Sequence, residues 1–243
     1  MAGQVKSKQR VADHGEVFTA EREVKAMCDL VKQETERIDS RFLEPACGDG
    51  NFLAEILNRK LQCSMLSRYK KSAYDWERNS LLALGSLYGV DILMDNVLAC
   101  RERLFDLWDK EYKKVCKKEC NDQTRESARF ILSLNIVCGN ALNLLCVDEA
   151  GNELKVPIIF SEWTLPFNDA RMQRKDYTLA ELLMASDENE KIQETGQLNL
   201  FGNADGEIEP TFLQQYIAHY RMINEDHSRS ATPNIAKEDL NNG

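Results

Sequence analysis

The stretch FLEPACGDGNFL, residues 42–53, concentrates residue types that can do chemistry: an apolar run leads into a carboxylate, a proline and two glycines one residue apart, and apolar residues follow. A strand, a Gly-x-Gly turn and a helix start in that order put backbone N–H groups and the positive helix end beside a ligand. Glycine lets the backbone approach it closely. The third glycine of the dinucleotide fingerprint is missing, because Phe52 and Leu53 stand where GxGxxG needs it. Glu44, just before the turn, offers a carboxylate to a cationic amino group. The combination disfavours a pyrophosphate and favours a small cofactor carrying an amine and a sulfonium.

Three further segments look ordinary one at a time. HGEVFTA (14–20) offers His14, most often a surface histidine; YGVDI (88–92) offers Asp91, a helix-entry residue; CGNAL (138–142) offers Asn140, a turn former. Taken together and in register with FLEPACGDGNFL, they resemble motifs X, I, II and III of the N6-adenine DNA methyltransferases of restriction-modification systems. The resemblance runs from Val11 to Leu144. It implies a Rossmann-like class I S-adenosylmethionine-dependent methyltransferase fold, with S-adenosyl-L-methionine as cofactor. By the same resemblance, the turn carrying Phe18 and Thr19 would hold the methionine carboxylate. Glu44, Ala46, Gly48 and Gly50 would form the cofactor turn. Asp91 would accept from the ribose hydroxyls with Ile92 beside it, and Asn140 and Ala141 would contact the adenine ring.

The departures from that family matter as much. Asn140 stands where the family usually has Asp, although its amide oxygen still accepts from the adenine amino group, and Ala20 replaces a proline after Thr19. Motif IV, the Asn/Asp-Pro-Pro-Tyr/Phe that takes the flipped adenine, occurs nowhere in the chain. The nearest segment is TLPF (164–167), which makes Thr164, Pro166 and Phe167 weak catalytic candidates. Thr164 cannot replace the amide or carboxylate, and a hairpin arm ending in a loop is the stronger reading. No catalytic residue is therefore assigned, and no metal is expected.

The expected function is the cofactor-binding subunit of a split N6-adenine DNA methyltransferase, inactive alone. A second subunit would supply the Asn-Pro-Pro-Tyr/Phe motif and DNA recognition, so that DNA is met through a heteromeric complex. One alternative is a catalytically inactive methyltransferase-like scaffold or regulatory subunit. Another is a self-contained methyltransferase with a non-DNA substrate.

The elements that must position these residues alternate. Residues 21–33 have helical spacing, RFLEPA reads as a strand, GNFLAEILNRKL resumes the helical period, and 64–86 looks helical. LYGVDI reads as a second strand, MDNVLACRERLFDLWDKEYKKVCKKE as a long amphipathic helix and NIVCGNAL as a third strand. This alternation predicts an α/β fold with a mostly parallel, doubly wound sheet, incomplete on its substrate side. A turn at 149–152 suggests a hairpin whose second arm is 156–163. The expected organisation is an N-terminal arm with motif X (1–20), a cofactor-binding domain (21–185), an acidic linker (186–210), a C-terminal helix (211–224) and a disordered tail (225–243).

With 31 Lys plus Arg against 40 Asp plus Glu, the net charge is −9. Such a chain is repelled by nucleic acid unless it segregates its basic residues or borrows a partner's. The eight cysteines form no CxxC pair, the start lacks an apolar signal core, and no apolar run reaches the length of a membrane span. A soluble, cytoplasmic protein with reduced thiols is expected, without membrane contact.

Overall fold

The computed structural model describes residues 19–192 and 210–226. It is a mixed α/β fold on a five-stranded mixed sheet. Strands β1 (Phe42–Glu44), β2 (Leu87–Asp91) and β3 (Ile136–Asn140) run parallel, and a hairpin of β4 (Leu145–Val147) and β5 (Glu153–Pro157) adds antiparallel strands beyond β3. Helices α1 (Glu21–Leu30) and α2 (Lys32–Thr35) precede β1. Helices α3 (Asn51–Gln62), α4 (Ser64–Ser67) and α5 (Ala73–Gly85) lead to β2, and α6 (Met94–Cys116) and α7 (Asp122–Asn135) lead to β3. The run expected as one helix over 64–86 is broken, because the Ser72 hydroxyl accepts the Asp75 N–H at 3.2 Å and starts α5 afresh. The unanticipated α7 begins in the same way, with Asn121 accepting from the Thr124 N–H at 2.8 Å.

Side-chain alternation along the parallel strands divides the core. Leu87, Ile136 and Cys138 face the helices, joining Leu53, Leu57, Trp76, Leu104 and Trp108. Tyr88, Val90 and Val137 face the other way. A doubly wound sheet would place crossover helices there, but this face is covered mainly by a second, antiparallel sheet. Its strands are β6 (Ile159–Thr164), β7 (Arg171–Thr178) and β8 (Gln214–His219), and helix α8 (Leu179–Ile192) follows β7 in the chain. Phe160, Tyr177, Leu179 and Leu182 close this second core, and Phe160 meets Tyr88 edge to face with ring centroids 5.2 Å apart. The Asn135 side chain pins β6 as a strand would: its Oδ1 accepts the Ser161 N–H and its Nδ2 donates to the Ser161 carbonyl, both at 2.9 Å.

Four expectations for the second half are corrected. The hairpin turn is present, but its second arm is β5; the chain breaks at Ile158, whose N–H donates to Leu144 O at 2.9 Å, and 159–164 enters the other sheet. Residues 211–224 are not a helix. TFLQQYIAHYRMI also fits a period of two, and pairing of Tyr216 with Arg174 and Ala218 with Met172 draws it into β8, followed by a 3-10 turn at Ile223–Glu225. Part of the expected linker, residues 186–192, belongs to α8. Of the expected tail, Glu225 ends the 3-10 turn and Asp226 is held by an ion pair with Arg174 at 2.6 Å. Residues 1–18, 193–209 and 227–243, which hold the rest of the arm, linker and tail, lie outside the described residues.

Among the described residues β1 pairs with β2 alone, so its outer edge is open, while the hairpin extends the opposite side. No helix among the described residues is long and apolar enough to cross a membrane.

Candidate functional site

The C-terminal ends of β1, β2 and β3 lie side by side, and a cleft of about 600 Å³ opens above them. Parallel α/β sheets bind ligands at this end, where the loops leave the strands. Thr19 at the entry to α1, Glu44 at the end of β1 and Ala46 after it, Gly48 in the turn, Asp91 at the end of β2 and Ile92 after it, and Asn140 at the end of β3 and Ala141 after it all line it. Gly50 does not. It sits under the turn with φ +86°, and a Cβ there would lie 2.6 Å from Cys100 Sγ on α6. Phe18 lies outside the described residues.

The turn is held by its own hydrogen bonds. The Cys47 N–H donates to Val90 O and the Gly50 N–H to Cys47 O, both at 2.9 Å. The Gly48 N–H donates to Asp91 Oδ2 at 2.9 Å, while Asp91 Oδ1 accepts the Leu93 N–H at 2.9 Å and the Asn96 amide at 3.2 Å. Asp91 thus bolts the glycine turn to the start of α6. Three of the turn's N–H groups are spent inside the protein, so the phosphate cradle that a Gly-rich turn suggests is not free here.

The charges of the cleft point the same way. Asp49 is neutralised by Arg103 at 2.6 Å, and Arg103 also donates to Asn51. Glu44 is half-buried, and among the described residues it forms no ion pair. Burial pushes its carboxyl above the usual range, against the pull of the Ala46 N–H. The cleft therefore offers an incoming group a carboxylate that lacks a counter-charge among the described residues. Cys47, also in the lining, is no nucleophile: its hydrogen bond with Cys100, and then burial, hold the thiol well above its ordinary range.

The rim is apolar and exposed. Ile92 is 40% and Leu142 95% accessible, on the neighbouring loops after β2 and β3. The Asn140 side chain shapes its own loop, since its Oδ1 accepts the Leu142 N–H at 3.0 Å and its Nδ2 donates to Glu153 at 3.4 Å. Leu144, at φ +64°, completes the reversal into β4.

No family model, no curated protein and no solved structure matches this chain.

The weak catalytic candidates do not join the cleft. Thr164 ends β6, where its hydroxyl donates to Gln173 Oε1 at 3.3 Å, and Phe167 lies under the Arg171 guanidinium, 4.0 Å from the ring centre. The preceding Trp163 packs on Gly85 just before β2. Thr164, Pro166 and Phe167 are thus carried to the end of the sheet opposite Gly48, Asp91 and Asn140, because β6 runs back across it. Asn96 and Met27, by contrast, line the cleft without having been singled out. Asn96 follows Asp91 by five residues, in the first turn of α6, where a polar side chain can reach back to a strand-end carboxylate. Met27 carries no such signal.

Proposed function

We propose that the cleft binds S-adenosyl-L-methionine and that the chain is the cofactor-binding subunit of a split N6-adenine DNA methyltransferase of the restriction-modification type. Its five-stranded sheet is then the cofactor half of a Rossmann-like class I methyltransferase fold. The observation that carries this reading is Glu44, a half-buried carboxylate with no ion pair among the described residues, beside a glycine turn in which the Cys47, Gly48 and Gly50 N–H groups are already used. A cationic, phosphate-free ligand matches that pairing. The ribose would meet the Asp91 end of β2, and the adenine would lie between the Ile92 and Leu142 sides of the rim.

The chain's own residues bind and orient the cofactor; none is assigned to proton transfer. The methyl acceptor's site belongs to a partner, which the open edge of β1 is positioned to admit as a continuation of the sheet. A second reading has its own support. Asp91 already serves three protein donors, which suits a carboxylate kept for the turn's structure in a non-catalytic scaffold.

Calorimetric titration separates the two. The folded wild-type chain should bind S-adenosylmethionine and should bind 5′-methylthioadenosine, which lacks the amino acid and the sulfonium, much more weakly. Glu44→Gln should erase most of that difference. Wild-type affinity should also fall on acidification as Glu44 protonates, a dependence the Gln variant lacks. A folded protein that binds neither compound supports the scaffold and rules out the cofactor role.

A further inference from the structure

A basic surface lies far from the cleft, in a chain whose net charge is −9. Lys110, Lys113 and Lys114, at i, i+3 and i+4, share one face at the end of α6, and Lys117, at φ +51°, follows directly where the helix stops. The loop between α4 and α5 brings Arg68, Lys70 and Lys71 to the same place, with Lys70 Nζ 4.0 Å from Glu111 on α6. Residues 67–72 and 109–119 together hold eight Lys and Arg against three Asp and Glu, and all eight cationic side chains are exposed.

The acids present pair with Lys70, Lys113 and Lys114 and leave the other five. Asp109 is taken by Arg125 at 2.8 Å and by Lys113, and Glu111 by Lys114 at 3.0 Å. Arg68, Lys71, Lys110, Lys117 and Lys118 form no ion pair with any described residue. The negative end of the α6 dipole favours cations in its last turn, which accounts for Lys113 and Lys114. It does not account for Arg68 and Lys71, which belong to another segment.

We infer that this surface contacts the phosphate backbone of a nucleic acid without reading its sequence. Lysine is depleted in protein–protein interfaces, whose energy comes from buried aromatic and arginine anchors. Lysine supplies seven of the eight cations here, and none of the exposed large apolar side chains falls within residues 62–71 or 105–120. The same lack of an apolar wedge disfavours a membrane surface. The 23 residues of α6 span about 34 Å, so the patch stands clear of the cleft and does not depend on what binds there. A net charge of −9 leaves nucleic-acid contact to segregated basic residues or to a partner's, and this patch is a segregated set.

The test is fluorescence anisotropy with labelled duplex DNA and duplex RNA of mixed sequence. Neutralising five phosphates gives a slope of log K against log salt of about −4.5, or roughly a 500-fold loss between 50 and 200 mM. The variant R68Q/K71Q/K110Q/K117Q/K118Q breaks no ion pair among the described residues, so it should keep the wild-type circular dichroism and Tm. It should bind at least about ten-fold more weakly, with a much shallower slope. Equal binding of both duplexes assigns the surface to phosphate alone, and a preference identifies which nucleic acid it serves. The inference is overturned if the wild type binds neither duplex at low salt, if the folded variant binds as well as the wild type, or if phosphatidylserine vesicles bind while both duplexes do not.

Discussion

Replacing Asp91 by Ala removes the carboxylate that ties the Gly48 N–H of the glycine turn to the start of α6. Gly48 and Leu93 each lose a 2.9 Å backbone bond to the carboxylate, and Asn96 loses a weaker one at 3.2 Å. Hydrogen bonds to a charged acceptor contribute about 1.5 to 3 kcal/mol each, and the lower figure applies to a partly exposed group. Two backbone bonds at that figure come to about 3 kcal/mol, with the Asn96 contact adding little. Urea unfolding followed by tryptophan fluorescence measures this directly, since Trp76 and Trp108 are fully buried in the helix-side core. Asp91→Ala should lower the unfolding free energy by about 3 kcal/mol. Asp91→Asn should recover part of that loss at most, because its amide turns an NH2 towards one of the donors it replaces. A loss within about 0.5 kcal/mol, the range of an ordinary surface substitution, would refute the role of Asp91 as the bolt of the turn.

Other substitutions probe neighbouring contacts. Gly50→Ala combines a left-handed φ of +86° with a Cβ 2.6 Å from Cys100 Sγ, and should cost about 2 to 4 kcal/mol in the same assay. Adding Cys100→Ala relieves the clash but not the φ strain, so only part should return. Glu77 is fully buried and accepts from Tyr112 at 2.5 Å, Tyr220 at 2.6 Å, Asn121 at 3.0 Å and Arg221 at 2.6 Å. Glu77→Ala should cost about 3 to 5 kcal/mol and expose the β8 end to proteolysis before the rest of the fold; retained stability would contradict its anchoring role. Lys60 donates to the carbonyls of Arg37 and Ser40 at 2.6 Å, yet burial pushes its ammonium down to about 7 from an ordinary 10.5. The unfolded chain then binds the extra proton between those values, so stability should rise with pH across that window. The slope is at most about 1.4 kcal/mol per pH unit. Lys60→Met should flatten the profile relative to wild type, and parallel profiles would show that Lys60 stays charged when folded.

The cofactor-side half was legible because its signals are local. Glu44, Gly48 and Gly50 are neighbours in sequence, and Asp91 and Asn140 each end a strand that apolar runs delimit, so neighbours in the chain are neighbours in the cleft. The central strand of the second sheet, β7, was not legible, because Arg174 and Asp176 are polar at two of its buried positions. RMQRKDYT carries no apolar alternation; Arg174 and Asp176 are buried only because each meets an opposite charge. The 211–224 segment fits both a helical and a strand period, and only its pairing with β7 decides between them. The Asp91 bond to Gly48 spans 43 residues, so no local pattern reveals that the turn's N–H groups are consumed. Net charge concealed the basic end of α6 for a related reason: a sum over the chain carries no positions.

The cofactor site is probed most sharply by a two-dimensional amide NMR titration of the wild-type protein with S-adenosylmethionine. Binding in the cleft should shift resonances at Ala46 to Gly50, at Asp91 to Leu93 and at Asn140 to Leu142, three loops that only this cleft brings together. A spectrum of folded protein that does not change, or whose changes fall away from these loops, would contradict it.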